Sequence, residues 1–239
     1  MILTPEIPPR LTERDILKFF RLFRQDLLRM DTGEGEPFQA LNVDGTCKLG
    51  DGGLTNYAQI ATDGEITLAG TARVVKYQWY GANALAAGGA NGATLGLNGN
   101  NWLVYSFADN ADEYVQANIR IPTDMDLTAA SYLSIAWSSP TTSATGIVDV
   151  TYLVNAENES TDQAGTSDTG NTITSSATGD GLVVSDIVTF AASSFGSTDV
   201  LIQLQIMRDG DNAADTLNDV LELHGLGLKY TANKLGEAT

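Results

Sequence analysis

The chain has 239 residues, 43% hydrophobic and 18% charged, a balance that suits a folded chain rather than a disordered one. Thirteen basic residues face 30 acidic ones, and the formal charge of -17 repels a phosphate backbone, so no nucleic-acid partner is expected. One cysteine, Cys47, and one histidine, His224, exclude a disulfide framework and Cys- or His-rich metal sites, and leave little for Ser-His-Asp chemistry.

The first 30 residues carry six basic side chains against four acidic ones, and the rest of the chain seven against 26. The start, MILTPEIPPR, has no apolar segment behind a basic one, so no secretory signal is expected. The spacing predicts a helix from Thr12 to Met30. Thr12 serves as N-cap with Asp15 three residues on, Leu11 and Ile16 take the staple positions, and Gly33 and Gly35 follow as stop signals. Ile16, Phe20, Phe23, Leu27 and Met30 are spaced as a heptad seam, and Leu17, Phe19, Leu22 and Leu28 widen it. So short a helix is not stable alone in water. The seam is therefore expected to anchor the chain or to trimerise it. Packing on its own domain is the alternative. Acidic residues on the polar face, and the lack of any apolar run of membrane length, argue against a membrane.

Residues 41–80 read as short alternating runs broken at Asp44-Gly45, Asp51-Gly52-Gly53 and Asp63-Gly64, which are hairpin signals. Residues 81–100, GANALAAGGANGATLGLNGN, read as a linker or a loop wrapping a neighbour. From Asn101 to Thr231 longer alternating runs take over. Val115, Ala117, Ile119 and Ile121 share one face; so do Leu133, Ile135 and Trp137; so do Val148, Val150, Tyr152 and Val154; so do Val200, Ile202, Leu204 and Ile206. Runs 102–107, 171–177, 182–190 and 219–230 complete a set of about eight strands. The expected fold is mostly β: a C-terminal antiparallel β-sandwich, with a jelly roll as leading topology, a short β-hairpin stem and an N-terminal amphipathic helix. The expected division is 1–40 helix, 41–100 stem and linker, 101–231 jelly-roll head and 232–239 tail. Periodicity does not fix the strand order.

Candidate chemistry is sparse. Asp209, Asp211 and Asp215 have ligand-like spacing but lack the glycine and the terminal glutamate of a calcium loop, so they are expected to cap a solvated turn. Pairs such as Asp112/Glu113, Asp124/Asp126 and Glu157/Glu159 are what chance supplies among 30 acidic residues. No catalytic residue, metal ion or cofactor is expected. Trp137 reads as core. Trp79 and Trp102, near Tyr77, Tyr80 and Tyr105, are candidates for a sugar-stacking platform, with a core or subunit-interface role as the competing reading. His224 shares parity with Glu222 and is expected to face solvent without a partner. Cys47 reads as an unpaired bystander in a turn.

Three stretches resemble accessory virion proteins of tailed bacteriophages. They are GGLTNYAQIATDGEITLAGTARV, DEYVQANIRIPTDMDLTAASYLSIAWSSPTTSATGIVDVTYLV and MRDGDNAADTLNDVLELHGLGLKYT, and together they cover about residues 50–231. The resemblance implies a homotrimeric jelly-roll head fibre, capsid cement or neck appendage located on the virion. It would attach to capsid, neck or tail proteins through the N-terminal region, and the family has no catalytic residues to carry over. The second reading is a receptor-binding tail fibre that recognises host-surface glycan.

Overall fold

Alternation of apolar and polar residues on the strands puts one face of each in a common core, and the computed structural model shows how they pair. It describes residues 47–50, 55–61 and 65–235. The Ile16–Met30 seam lies outside them.

Three short strands open the described chain: β1 (Cys47–Gly50), β2 (Tyr57–Ile60) and β3 (Ile66–Ala69). They pair antiparallel in that order, as the Asp-Gly signals predict, and β15 (Lys234–Leu235) closes on β3. Cys47 thus begins a strand rather than sitting in a turn.

Eight further strands form the sandwich: β7 (Leu103–Phe107), β8 (Asp112–Arg120), β9 (Ser131–Ser138), β10 (Thr145–Ala156), β11 (Thr166–Thr174), β12 (Val183–Phe190), β13 (Asp199–Asp209) and β14 (Leu221–Ala232). One sheet carries the order β12-β9-β14-β7 and the other β11-β10-β13-β8. The chain crosses between sheets at nearly every connection, and this order is the double Greek key of a jelly roll. The strand order that periodicity leaves open is fixed here.

Residues 74–97 depart from the expected stem and linker. β4 (Val74–Gly81) pairs with β14 over Gly225–Ala232, β5 (Ala86–Ala87) extends the five-stranded sheet beside β8, and β6 (Thr94–Leu97) extends the six-stranded sheet beside β7. Ala82, Leu85 and Ala93 are buried in the common core. Small side chains let this stretch lie close against the sheets, and the same smallness makes it look like a linker by composition.

The core holds Trp137, Phe107, Phe190, Leu133, Ile135, Ile119 and Ile202, all essentially without solvent contact. Each such side chain contributes roughly 1.5–3 kcal/mol relative to exposure. The Trp137 indole N–H donates to Ser185 Oγ at 3.1 Å, so its burial leaves no orphaned donor. Among the described residues no helix is long and apolar enough to cross a membrane.

Candidate functional site

On the outer face of the six-stranded sheet, β4 presents Val75, Tyr77 and Trp79, all exposed, while Tyr80 packs inward on the core. The Tyr77 and Trp79 rings lie 6.5 Å apart at centroids with only 6° between planes. Trp79 is paired in register with Gly227 on β14, and a Cβ there would come within 2.9 Å of the indole. Gly227 is what allows the indole to lie down on the sheet. Lys229, next to Tyr77 in register, reaches Asp186 at 3.3 Å and lies 4.9 Å from the Tyr132 ring centroid. Hydrogen bonding and attraction from Asp186 raise the Lys229 pKa. Of the residues expected near a platform, the structure joins Trp79 with Tyr77. Tyr105 instead donates its hydroxyl to Leu85 O inside the core.

Trp102 belongs to the β6–β7 turn, where Asn98 Oδ1 accepts its backbone N–H at 3.0 Å. Here the apolar residues form a different feature. Leu95 is the cross-strand partner of Tyr105, and Leu97 of Leu103, so these side chains share the face that Tyr105 turns to the core. Yet Leu95, Leu97, Leu103 and Trp102 are 45%, 63%, 41% and 68% exposed. The hairpin carries the core face beyond the cover that the opposite sheet supplies.

The outer face of the five-stranded sheet holds a cleft of about 570 Å³. Its floor is Gln116 and Asn118 from β8, Gln203 and Gln205 from β13, and Thr151 and Leu153 from β10. Residues 83–86 wall one side; Thr161, Gln163 and Gly165 wall the other. Among the described residues, none with a formal charge lines it.

Three further polar clusters lie among the described residues. His224 was expected to face solvent unpartnered; instead it is half-buried, with Nε2 2.9 Å from Ser138 Oγ. His224 stands at a bulge between Leu223 and Gly225, where β14 also exchanges β7 for β4 as neighbour. Burial lowers the His224 pKa, opposed by the Glu222 charge. Ser138 Oγ also lies 3.2 Å from Glu222 Oε2, so the carboxylate engages the hydroxyl rather than orienting the imidazole, and Ser138 is buried. That geometry is a structural network and not a nucleophile with its base.

The Asp209–Asp215 loop splits into two roles. Asp215 is buried and accepts from Arg208 Nε and Nη2, both at 3.1 Å. Arg208, itself buried, donates further to Ala108 O at 3.1 Å, to Asp219 O at 2.7 Å and to Leu217 O. Its guanidinium thereby links β13 of one sheet to the end of β7 and the approach to β14 in the other. Asp209 and Asp211 instead gather with Asp112, their carboxylates within 4.8 Å of one another. Repulsion from Asp112 comes first among the causes that raise the Asp211 pKa. Pairing of β8 with β13 sets Asp112 opposite Asp209, a proximity that sequence spacing does not reveal. The third cluster joins Tyr230, which donates to Asp124 Oδ1 at 3.1 Å, with the Lys76–Asp124 ion pair. Burial, then Asp124, push the phenol up to about 12.

No protein-family model matches the chain, and no curated protein sequence matches it. Solved structures similar to it include a virus structure and carbohydrate-binding modules. The CBM22-1–GH10 modules of Clostridium thermocellum xylanase 10B, complexed with xylohexaose, share 14% identity over 70% of this chain and 30% of that one, with a TM-score of 0.37. The infectious bursal disease virus Gx strain structure shares 11% identity over 83% of this chain and 37% of that one, at 0.35. A non-crystalline-cellulose-specific module, CBM28, shares 14% over 67% and 87%, at 0.28. The chain spans about a third of the length of the first two. Scores this low carry no functional argument, and the jelly-roll assignment rests on the strand order itself.

Proposed function

We propose that this chain is a non-enzymatic structural component of a tailed-phage virion. In this reading it is a homotrimer, with residues 1–40 as anchor and the jelly roll as displayed head. The observation that supports it is the uncovered core-face row at Leu95, Leu97 and Leu103 with Trp102 beside it. Monomeric surfaces rarely expose contiguous apolar side chains that continue a core, and the cover we assign to it is the neighbouring copies that meet around the three-fold axis of the trimer. The strong negative charge fits heads displayed at high density, since like-charged domains stay apart in solution. A receptor-binding fibre is the second reading, favoured by the parallel Tyr77 and Trp79 rings, since exposed flat aromatic faces suit the C–H face of a sugar.

The test is location. Gold-labelled antibody raised against the head should decorate intact particles of the phage that encodes the chain, at the capsid, neck or tail. Particles free of label, with the protein found only in lysate, would remove the virion reading.

A further inference from the structure

We infer that the cleft on the outer face of the five-stranded sheet binds a short stretch of neutral oligosaccharide. This deepens the glycan-recognising reading and assigns it to the sheet opposite the Tyr77–Trp79 strip; it does not depend on where the protein is displayed. Strand register builds the floor as two rows, Gln116–Gln205–Thr151 and Asn118–Gln203–Leu153. Neighbouring strands lie about 4.8 Å apart and alternate residues about 7 Å apart, so four carboxamides converge within a field the size of a sugar ring or two.

Each carboxamide offers a carbonyl acceptor and two N–H donors. Among the described residues, the side chains of Gln116, Asn118, Gln203 and Gln205 have no protein hydrogen-bond partner. Gln163 differs, because its Nε2 donates to Ser160 O at 2.8 Å, and Asn155 Nδ2 of β10 donates to the same oxygen at 3.1 Å, which ties the wall to the sheet. Gly165 lets that wall reach the floor, since a Cβ there would meet Thr151 Cγ2 and Tyr152 O at 2.8 Å. The wall is fixed and the floor is left free.

The chemistry selects the ligand. A sugar hydroxyl donates and accepts at once, which matches a carboxamide, and Leu153, Ala84 and Ala86 supply apolar surface for ring C–H groups. A charged ligand would lose hydration in a cleft that offers no counter-charge. A peptide strand adds to an unpaired backbone edge, but the central strand of this floor, β13, is paired on both sides. The cleft volume of about 570 Å³ lies within the range of small-ligand sites, roughly 300–1,000 Å³.

The test titrates the full chain with neutral hexasaccharides of glucose, xylose, mannose and galactose, with hexagalacturonate and with a neutral Ser/Gly-rich peptide, following side-chain NH2 resonances. At least one neutral hexasaccharide should bind and shift carboxamide signals, and hexagalacturonate and the peptide should not. The double variant Gln116→Ala/Gln205→Ala should weaken that binding by about tenfold or more, the loss of two net hydrogen bonds, with melting temperature and particle mass unchanged. Trp79→Ala should leave it unaltered. Binding lost in Trp79→Ala but retained in the double variant would overturn the cleft and leave glycan recognition standing. Failure of every neutral hexasaccharide, or capture of the peptide instead, would overturn both.

Discussion

The two sheets share one core and differ on their outer faces. The six-stranded sheet turns out aromatic rings, glycines and a Lys–Asp pair; the five-stranded sheet turns out a cleft of uncharged carboxamides, with the Asp112–Asp209 carboxylates farther along the same strands. Both faces come from the same two-residue alternation, so the difference owes nothing to the fold and everything to which residues occupy the outward positions. A jelly roll needs only its inner faces to cohere, which leaves the outer faces free to carry separate tasks. On this account the core-face row left uncovered at the β6–β7 edge serves association, and the outer face of the five-stranded sheet serves recognition.

The largest expected effect removes the buried carboxylate that partners Arg208, the residue that links the sheets. Asp215→Ala would break the buried Arg208 pair and leave only the partly exposed Asp109 carboxylate, 3.7 Å away; breaking such a buried pair typically costs about 3–5 kcal/mol. Urea unfolding should show a loss of that order. A loss below about 1 kcal/mol would place Arg208 in an exposed-pair regime and contradict the burial described here.

A smaller effect concerns His224, at the point where β14 changes neighbours. Burial depresses its pKa below the usual 6.5, so the folded chain takes up this proton less readily than the unfolded one. The associated stability is complete above the unfolded value and is lost as pH falls through the depressed folded value. With one histidine in the chain, an NMR titration reads this directly. A midpoint below 6.5 is expected, and His224→Gln should reduce the drop in melting temperature between neutral and mildly acidic pH. A midpoint at or above the usual value would show the ring to be solvated.

Much of the sandwich was legible because long strands with one buried face repeat every two residues. Trp137, Ile119 and Ile202 stand in the core where that parity puts them. The strand order was not legible, since pairing joins residues as distant as Trp79 and Gly227. Residues 82–93 were misread because alanine and glycine leave no periodic signal, although Ala82, Leu85 and Ala93 are buried. His224 does share a face with Glu222, but its partner was not legible, because Ser138 comes beside both only through the pairing of β14 with β9. Gln116 and Gln205 could be read as outward-facing from their own strands, but only the pairing of β8 with β13 makes neighbours of them. The carboxylates of Asp112 and Asp209 meet for the same reason.

Association is the claim on which the contrast between the faces depends, and light scattering of the full chain tests it most directly. The account expects a particle of three times the 25.3 kDa chain mass. Leu95→Asp/Leu97→Asp, which sets charge on the uncovered edge, should shift that particle towards single chains while circular dichroism still reports the β-sandwich. A full chain that scatters as a monomer, or a double variant whose mass is unchanged, would contradict it.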